Sequence, residues 1–408
     1  MKTHVITRPG HLPTLVASFL HFDLSFMLWV LLGALGIYIA EDMGLSPAEK
    51  GLLVATPILS GALLRIPLGL LSDRVGAKRI GVAMLLFLFI PLTLGWQMGN
   101  SLPSLLAIGL MLGTAGASFA VALPLASRWY PPERQGLVMG IAAAGNSGVV
   151  IANLLAPRLA SVIGWHNVLA VAMLPLALVL VAFLLMAKDS PDHVKGQPSS
   201  YYLSILKYGD LWWFCALYSV TFGGYVGLSS FLPLFLRDQY GTSPVTAGYL
   251  TAIAAFVGSG LRPVGGYISD KFGGVRVLTL VLGGIAVTYV LGSRLPPLPI
   301  MTFLLVLGMA CLGMGNGAVF QLVPRRFHRE IGVATGLIGA VGGLGGFILP
   351  NLLGNVKQAS GSFSAGFLIL GGIAFVSLVA LQFLTRGDMG WRSAWAMERV
   401  VQRESDVD

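Results

Sequence analysis

The sequence predicts an all-α membrane protein: twelve transmembrane helices in two parallel six-helix halves related by a pseudo-two-fold axis. Three observations predict it. Of the 408 residues 55% are hydrophobic and only 11% charged, where a soluble domain carries roughly 25% charged residues. The apolar residues gather in runs long enough to cross a ~30 Å hydrocarbon core. A short motif that begins at Gly69 recurs at Gly266, 197 residues on. With a mean hydropathy of +0.81, lipid must be the solvent for most of the chain, which argues against a soluble enzyme. Cys215 and Cys311, the two cysteines, both sit in apolar runs, so a disulfide framework or a cysteine metal site is not expected.

The spans follow from apolar runs bounded by charge, proline or glycine. The first covers 12–40 and stops at Glu41-Asp42; the second, 50–71, opens at Lys50 and ends before Asp73-Arg74. After Lys78-Arg79 comes 79–98, closed by Gly99-Asn100, then 102–125, which ends ahead of Arg128. The fifth, 135–158, follows Pro131-Pro132-Glu133-Arg134, and the sixth, 165–187, stops at Lys188-Asp189. A polar segment, 188–210, longer than any other internal connection, reads as the linker between halves 1–187 and 211–385. The second half repeats the plan at 211–236, 245–269, 276–294, 299–322, 332–355 and 363–385, with a tail at 386–408. No run shows the short alternation of a transmembrane β-strand. The first span is too long, and starts too soon, to be a cleaved signal peptide.

Lys and Arg orient the spans. Of the 26, 19 fall in the termini and even-numbered connections, five in the odd connections (Lys50, Arg158, Arg237, Arg294, Lys357), and two, Arg65 and Arg262, inside spans. The positive-inside bias places both termini and the linker in the cytoplasm of a multi-pass inner-membrane protein. The net charge of +9 is then a topology signal; its dispersal over many segments gives no nucleic-acid face.

Gly69-Leu-Leu-Ser-Asp73-Arg74-Val-Gly76 recurs as Gly266-Tyr-Ile-Ser-Asp270-Lys271-Phe-Gly273, and the same offset relates Arg65 to Arg262, Arg128 to Arg325, Glu133 to Glu330, Gly145 to Gly342 and Gly148 to Gly345. A repeat of six spans keeps its orientation, so the copies lie parallel, an architecture in which substrate binds near the midplane between halves.

On these residues the chain resembles the major facilitator superfamily. The pattern Gly69, Asp73, Arg74, Gly76, Lys78, Arg79 matches that superfamily's signature in the connection between spans two and three, and Gly266 to Arg276 is a weaker copy. The resemblance implies a cytoplasmic gate held by ion pairs and helix-end contacts. Gly69, Asp73, Arg74, Gly76 and Asp270 are its candidates, with Arg128 and Arg325. A helix N-terminus facing Asp73 would stabilise it. The closer resemblance, over residues 15–385, is to the nitrate/nitrite porters: Ala144-Gly145-Asn146-Ser147-Gly148 is a shortened form of that family's glycine-rich signature, Gly339 to Phe347 a fuller one, and Arg65 and Arg262 match its paired substrate arginines.

The chemistry of these residues suits a small planar anion. An unpaired cation in hydrocarbon costs at least ~2.5–3.5 kcal/mol. Of 17 acidic residues only Asp23 falls clearly within a span, so one carboxylate cannot neutralise two arginines and a mobile anion is the expected partner. A guanidinium fork offers parallel N–H donors to two oxygens of nitrate or nitrite. Gly145 and Gly342 belong to faces on which small residues let helices approach; packing alone would explain them equally. Asn146, a buried amide, needs a partner. Tyr218, Phe222 and Tyr225 stand at i, i+4 and i+7 and are expected to share a helix face. The resemblance places Tyr218, Phe222 and Phe119 at the substrate hydroxyl and the two rings that sandwich the anion. Asp23 is the candidate proton carrier, with His21 the alternative on a different face; Phe22-Asp-Leu-Ser-Phe-Met-Leu-Trp29 resembles the nitrate:proton symport branch rather than the exchange branch. The expected protein is therefore a monomeric transporter for nitrate or nitrite in the lipid bilayer, with protons as possible co-substrate and no cofactor, metal or nucleic acid. A facilitator for a small carboxylate, and a sensor that binds nitrate without moving it, are the alternatives.

Overall fold

Twelve helices long and apolar enough to cross a membrane form the computed structural model of the chain, which describes residues 10–131, 138–139, 141–190, 205–327 and 331–385. They are α1 (Leu12–Trp29, prolonged by Leu31–Ala34 and Gly36–Met43), α2 (Pro47–Val75), α3 (Ala77–Met98), α4 (Leu102–Ser127), α5 (Ile141–Ile163) and α6 (Trp165–Met186), then α7 (Gly209–Tyr240), α8 (Pro244–Phe272), α9 (Gly274–Gly292), α10 (Leu298–Arg326), α11 (Ile331–Ser360) and α12 (Ser364–Thr385). Most of the linker (191–204), the tail (386–408), Glu133, Arg329 and Glu330 lie outside the described residues.

Many helices overrun the expected spans because their ends are capped by polar groups beyond the hydrophobic run. At the start of α2, Ser46 Oγ accepts from the Glu49 amide while Glu49 accepts from the Ser46 amide, a reciprocal capping box. Ser243 caps α8 through the Thr246 amide. Gly241, at φ +66°, ends α7 in the left-handed conformation that a side chain would strain.

Small residues set the seams. Along α2 and α11 a Cβ on Gly51 would lie 2.5 Å from the Pro350 carbonyl, and one on Gly354 would lie 2.4 Å from that of Pro47. The second seam joins α5 to α8, where a Cβ on Gly248 would lie 2.4 Å from the Asn153 carbonyl. Each seam pairs a helix of one half with a helix of the other.

The halves are also tied across the face of the α1–α2 and α7–α8 connections. Lys50 reaches both carboxylate oxygens of Asp238 at 2.7 and 2.9 Å, Arg237 binds Glu41 at 2.8 Å, the Ala48 amide donates to Gln358 Oε1 at 3.0 Å, and Arg158 lies 5.2 Å over the Tyr249 ring. On the opposite face the repeat-related pairs Asp73–Arg128 and Asp270–Arg325 each stay within one half.

Candidate functional site

Three helices pass into 3₁₀ or π geometry in mid-span, and each does so where it carries candidate residues. In α4 a 3₁₀ stretch, Gly113–Ser118, runs up to Phe119; in α5 another, Ala144–Ser147, contains Asn146; in α7 a wider π turn, Ser219–Gly223, follows Tyr218 and contains Phe222. Such turns rotate side chains off the helical register and release backbone groups from the i→i−4 ladder.

One released group holds Arg65. Its Nε donates to the Gly116 carbonyl at 2.9 Å and its Nη1 to the Gly339 carbonyl of α11, so a side chain 1% exposed on one half is bonded to the backbone of both. Three rings surround the guanidinium carbon: Phe222 at 5.0 Å, with Phe119 and Trp29 each at 5.4 Å. Nη2 has no partner. The fork expected to grip two oxygens is thus already engaged by carbonyls, and Arg65 presents one terminal nitrogen in this conformation.

Arg262 is held more loosely. It is half-buried, its carbon lies 5.9 Å from the Phe320 ring, and its Nη1 is a buried donor without a partner. Tyr218 lies within electrostatic reach of both cations. Its hydroxyl faces Arg262 without a hydrogen bond of proper geometry. The ring stacks parallel on Phe222 at 4.9 Å and meets Phe320 edge-on at 4.8 Å. Phe320 lies 6.0 Å from Phe119 as well. A Cβ on Gly342 would come 2.3 Å from Tyr218 Cδ1, so this glycine seats the tyrosine ring. Asn146 is buried with its Oδ1 unpartnered. Unsatisfied buried N–H and O–H groups cost about 1–3 kcal/mol each, and those of Arg65, Arg262 and Tyr218 belong to one cluster of cationic and aromatic groups; no described contact joins Asn146 to that cluster.

Other expectations are revised. Tyr225 does not continue the Tyr218–Phe222 stripe: the π turn swings it onto α8, where its hydroxyl bonds Ser259 and its ring covers Gly258. Gly145 lies against α1, where a Cβ would approach the Asp23 amide and the Phe22 ring at 2.8 Å, and Gly148 is closer still, 1.9 Å from the Asp23 carbonyl. Both serve the α1–α5 contact rather than the space between the arginines. Asp23 accepts from Ser147 Oγ at 2.6 Å, and so is tied to the residue after Asn146 and not to an arginine. His21 points elsewhere, bonding the Gly81 carbonyl and packing on Phe183. Among gate candidates, Asp73 pairs with Arg128, and Gly69 lets α2 approach Ala120. Arg74 stands in the last turn of α2; Gly76, at φ +110°, turns the chain into α3. Asp189 caps the N-terminus of α3, accepting from the Lys78 amide at 3.0 Å. Sequence reasoning missed Trp29 and Phe320, whose rings carry no mark of their own in so apolar a chain.

The family model described as the Major Facilitator Superfamily matches residues 17–350. The chain is 36% identical to a "Nitrite extrusion protein" of Bacillus subtilis (strain 168), covering 87% of this chain and 90% of that one. It is 32% identical to a "Probable nitrate/nitrite antiporter NarK1" of Thermus thermophilus, over 91% of each, and 30% identical to a "Probable nitrate transporter NarT" of Staphylococcus epidermidis, over 90% and 95%. The solved structure of the nucleoside transporter NupG superposes with a TM-score of 0.72 at 15% identity, covering 91% of this chain and all of that one, and shares the fold.

Proposed function

We propose, for a chain that belongs to the nitrate/nitrite porter family of the major facilitator superfamily, that it carries nitrate, with nitrite as a second substrate, between its halves by alternating access. It is a transporter, not an enzyme, and a multi-pass protein of the cell membrane. The observation that carries the reading is the pair of arginines from repeat-related helices, each with an unpartnered terminal nitrogen, Arg65 Nη2 and Arg262 Nη1. A planar oxyanion placed there receives one charge-assisted bond from each half. The Tyr218 hydroxyl adds a third donor, the Asn146 amide a fourth, and Phe119 and Phe222 contact its faces. With the charge bias setting both termini in the cytoplasm, the Lys50–Asp238 and Arg237–Glu41 ties lie on the outer face and hold it shut; Asp73–Arg128 and Asp270–Arg325 belong to the inner gate. An anion between the arginines lowers their mutual repulsion and lets the halves rock about it. The functional unit is the monomer.

Asp23 carries the co-transported proton in this proposal, since its only polar ties described are to α5 beside Asn146. Nitrate uptake into proteoliposomes loaded with or without nitrite, with and without an inward proton gradient, tests the reading. Uptake driven by the gradient and lost from that dependence in Asp23→Asn is expected. Stimulation by internal nitrite with no effect of the gradient would replace symport by exchange, and formate or oxalate outcompeting nitrate would replace the substrate.

A further inference from the structure

We infer that Trp29 of α1 is the positioning residue that fixes the direction of the Arg65 guanidinium and thereby sets the affinity of the anion site; the inference rests on the anion reading above. Trp29 is 1% exposed and is held along its Nε1–Cε2 edge and by a neighbouring ring. Its indole Nε1 donates to the Pro57 carbonyl of α2 at 2.7 Å. The same Nε1–Cε2 edge lies against two glycines: a Cβ on Gly116 would come 2.3 Å from Cε2, and one on Gly61 would come 2.8 Å from Nε1. Phe26 meets the ring edge-on at 5.1 Å. The indole therefore has one place to be.

That place is chosen for Arg65. The guanidinium carbon sits 5.4 Å from the indole centroid, and the Gly116 that supports the indole is also the residue whose carbonyl accepts from Arg65 Nε. Trp29 thus contacts the cation and braces the 3₁₀ backbone that holds it. Of the three rings around Arg65, Phe119 and Phe222 face the space between the halves, where Phe320 and Tyr218 also lie. Trp29, packed between α2 and α4 within its own half, touches no other candidate ligand among the described contacts. Its effect on an anion must pass through Arg65. An indole face attracts a guanidinium more strongly than a phenyl face, most of all where water is absent.

The test measures nitrate binding by isothermal titration on the purified full-length protein, and uptake rates in proteoliposomes. Trp29→Phe, which keeps a ring but loses the bond to Pro57, is expected to raise the nitrate Kd about tenfold, the scale of a desolvated cation–π contact, with the maximal uptake rate within about twofold. In an Arg65→Lys background the same change is expected to raise Kd less than about twofold, because the group it acts through has gone. An unchanged Kd in Trp29→Phe, or an equal factor in both backgrounds, overturns the inference. Should that variant fail to fold, Phe26→Leu, which removes the ring that meets the indole edge-on, carries the same double comparison. Absence of nitrate and nitrite binding by the unmodified protein overturns the transport reading and this inference with it; binding by the unmodified protein with an indifferent Trp29 overturns this inference alone.

Discussion

Asp238→Asn removes the charge that best holds the two halves together on the face of the α1–α2 and α7–α8 connections. The Lys50 ammonium lies 2.7 and 2.9 Å from the two Asp238 oxygens, and the side chains are only 17% and 16% exposed. An exposed ion pair is worth at most about 1 kcal/mol, whereas breaking a fully buried one costs about 3–5 kcal/mol. This half-sheltered pair therefore contributes about 2 kcal/mol to closure, a factor of about 30 in the ratio of closed to open. Arg237–Glu41 crosses the same gap at 2.8 Å with 37% and 49% exposure, so screening by solvent reduces it to a factor of about threefold or less. The readout is the distance between spin labels at Ser161 and Ser360, exposed on that face in opposite halves, with Cys215 and Cys311 replaced by alanine. Asp238→Asn is expected to populate a longer distance strongly, Glu41→Gln barely. An unchanged distribution in Asp238→Asn, or equal shifts in the two variants, would refute the assignment of Lys50–Asp238 as the main tie.

Arg65→Lys discards two backbone bonds as well as the free Nη2, so nitrate uptake is expected to fall at least a hundredfold, and more than in Arg262→Lys; near-normal initial rates in either would contradict the anion site. Gly342→Ala forces a methyl to 2.3 Å from the Tyr218 ring and is expected to cut uptake about tenfold or more through displacement of that ring, with the protein still recovered from membranes. Gly148→Ala, 1.9 Å from the Asp23 carbonyl, is expected to part α1 from α5 and lower the thermal unfolding midpoint by several degrees, as overpacking costing about 1–3 kcal/mol does.

The spans were legible because the bilayer imposes length and composition together, and the arginines because a charge in hydrocarbon is costly wherever it stands. What could not be read was what each residue meets. Gly145 declares a close approach but not its partner, which is the α1 backbone. Tyr225 has the spacing of a shared face and loses it to one extra residue per turn at Ser219–Gly223, a backbone feature with no side-chain signature. Trp29 and Phe320 are two rings among the 40 aromatic residues of an apolar chain, and only the carbonyl and cations beside them distinguish their positions.

The repeat also misleads where it is most exact. Its offset takes Arg65 to Arg262, yet it takes Tyr218 to His21, Phe222 to Ser25, Phe119 to Asn316 and Trp29 to Val226. Scaffold and charge have stayed symmetric while the groups around the charge have not. The consequence is two unlike cations: Arg65, bonded to two carbonyls and surrounded by three rings, has little freedom to move, whereas Arg262, half-buried beside one ring, keeps rotamers in reserve. The bond from Arg65 Nη1 to Gly339 crosses to the other half, so a movement that parts the halves breaks it, while the bond from Nε to Gly116 lies within its own half and can stay. The difference between the two cations therefore lies in the groups around the charge, which the repeat has not kept, and not in the charge itself.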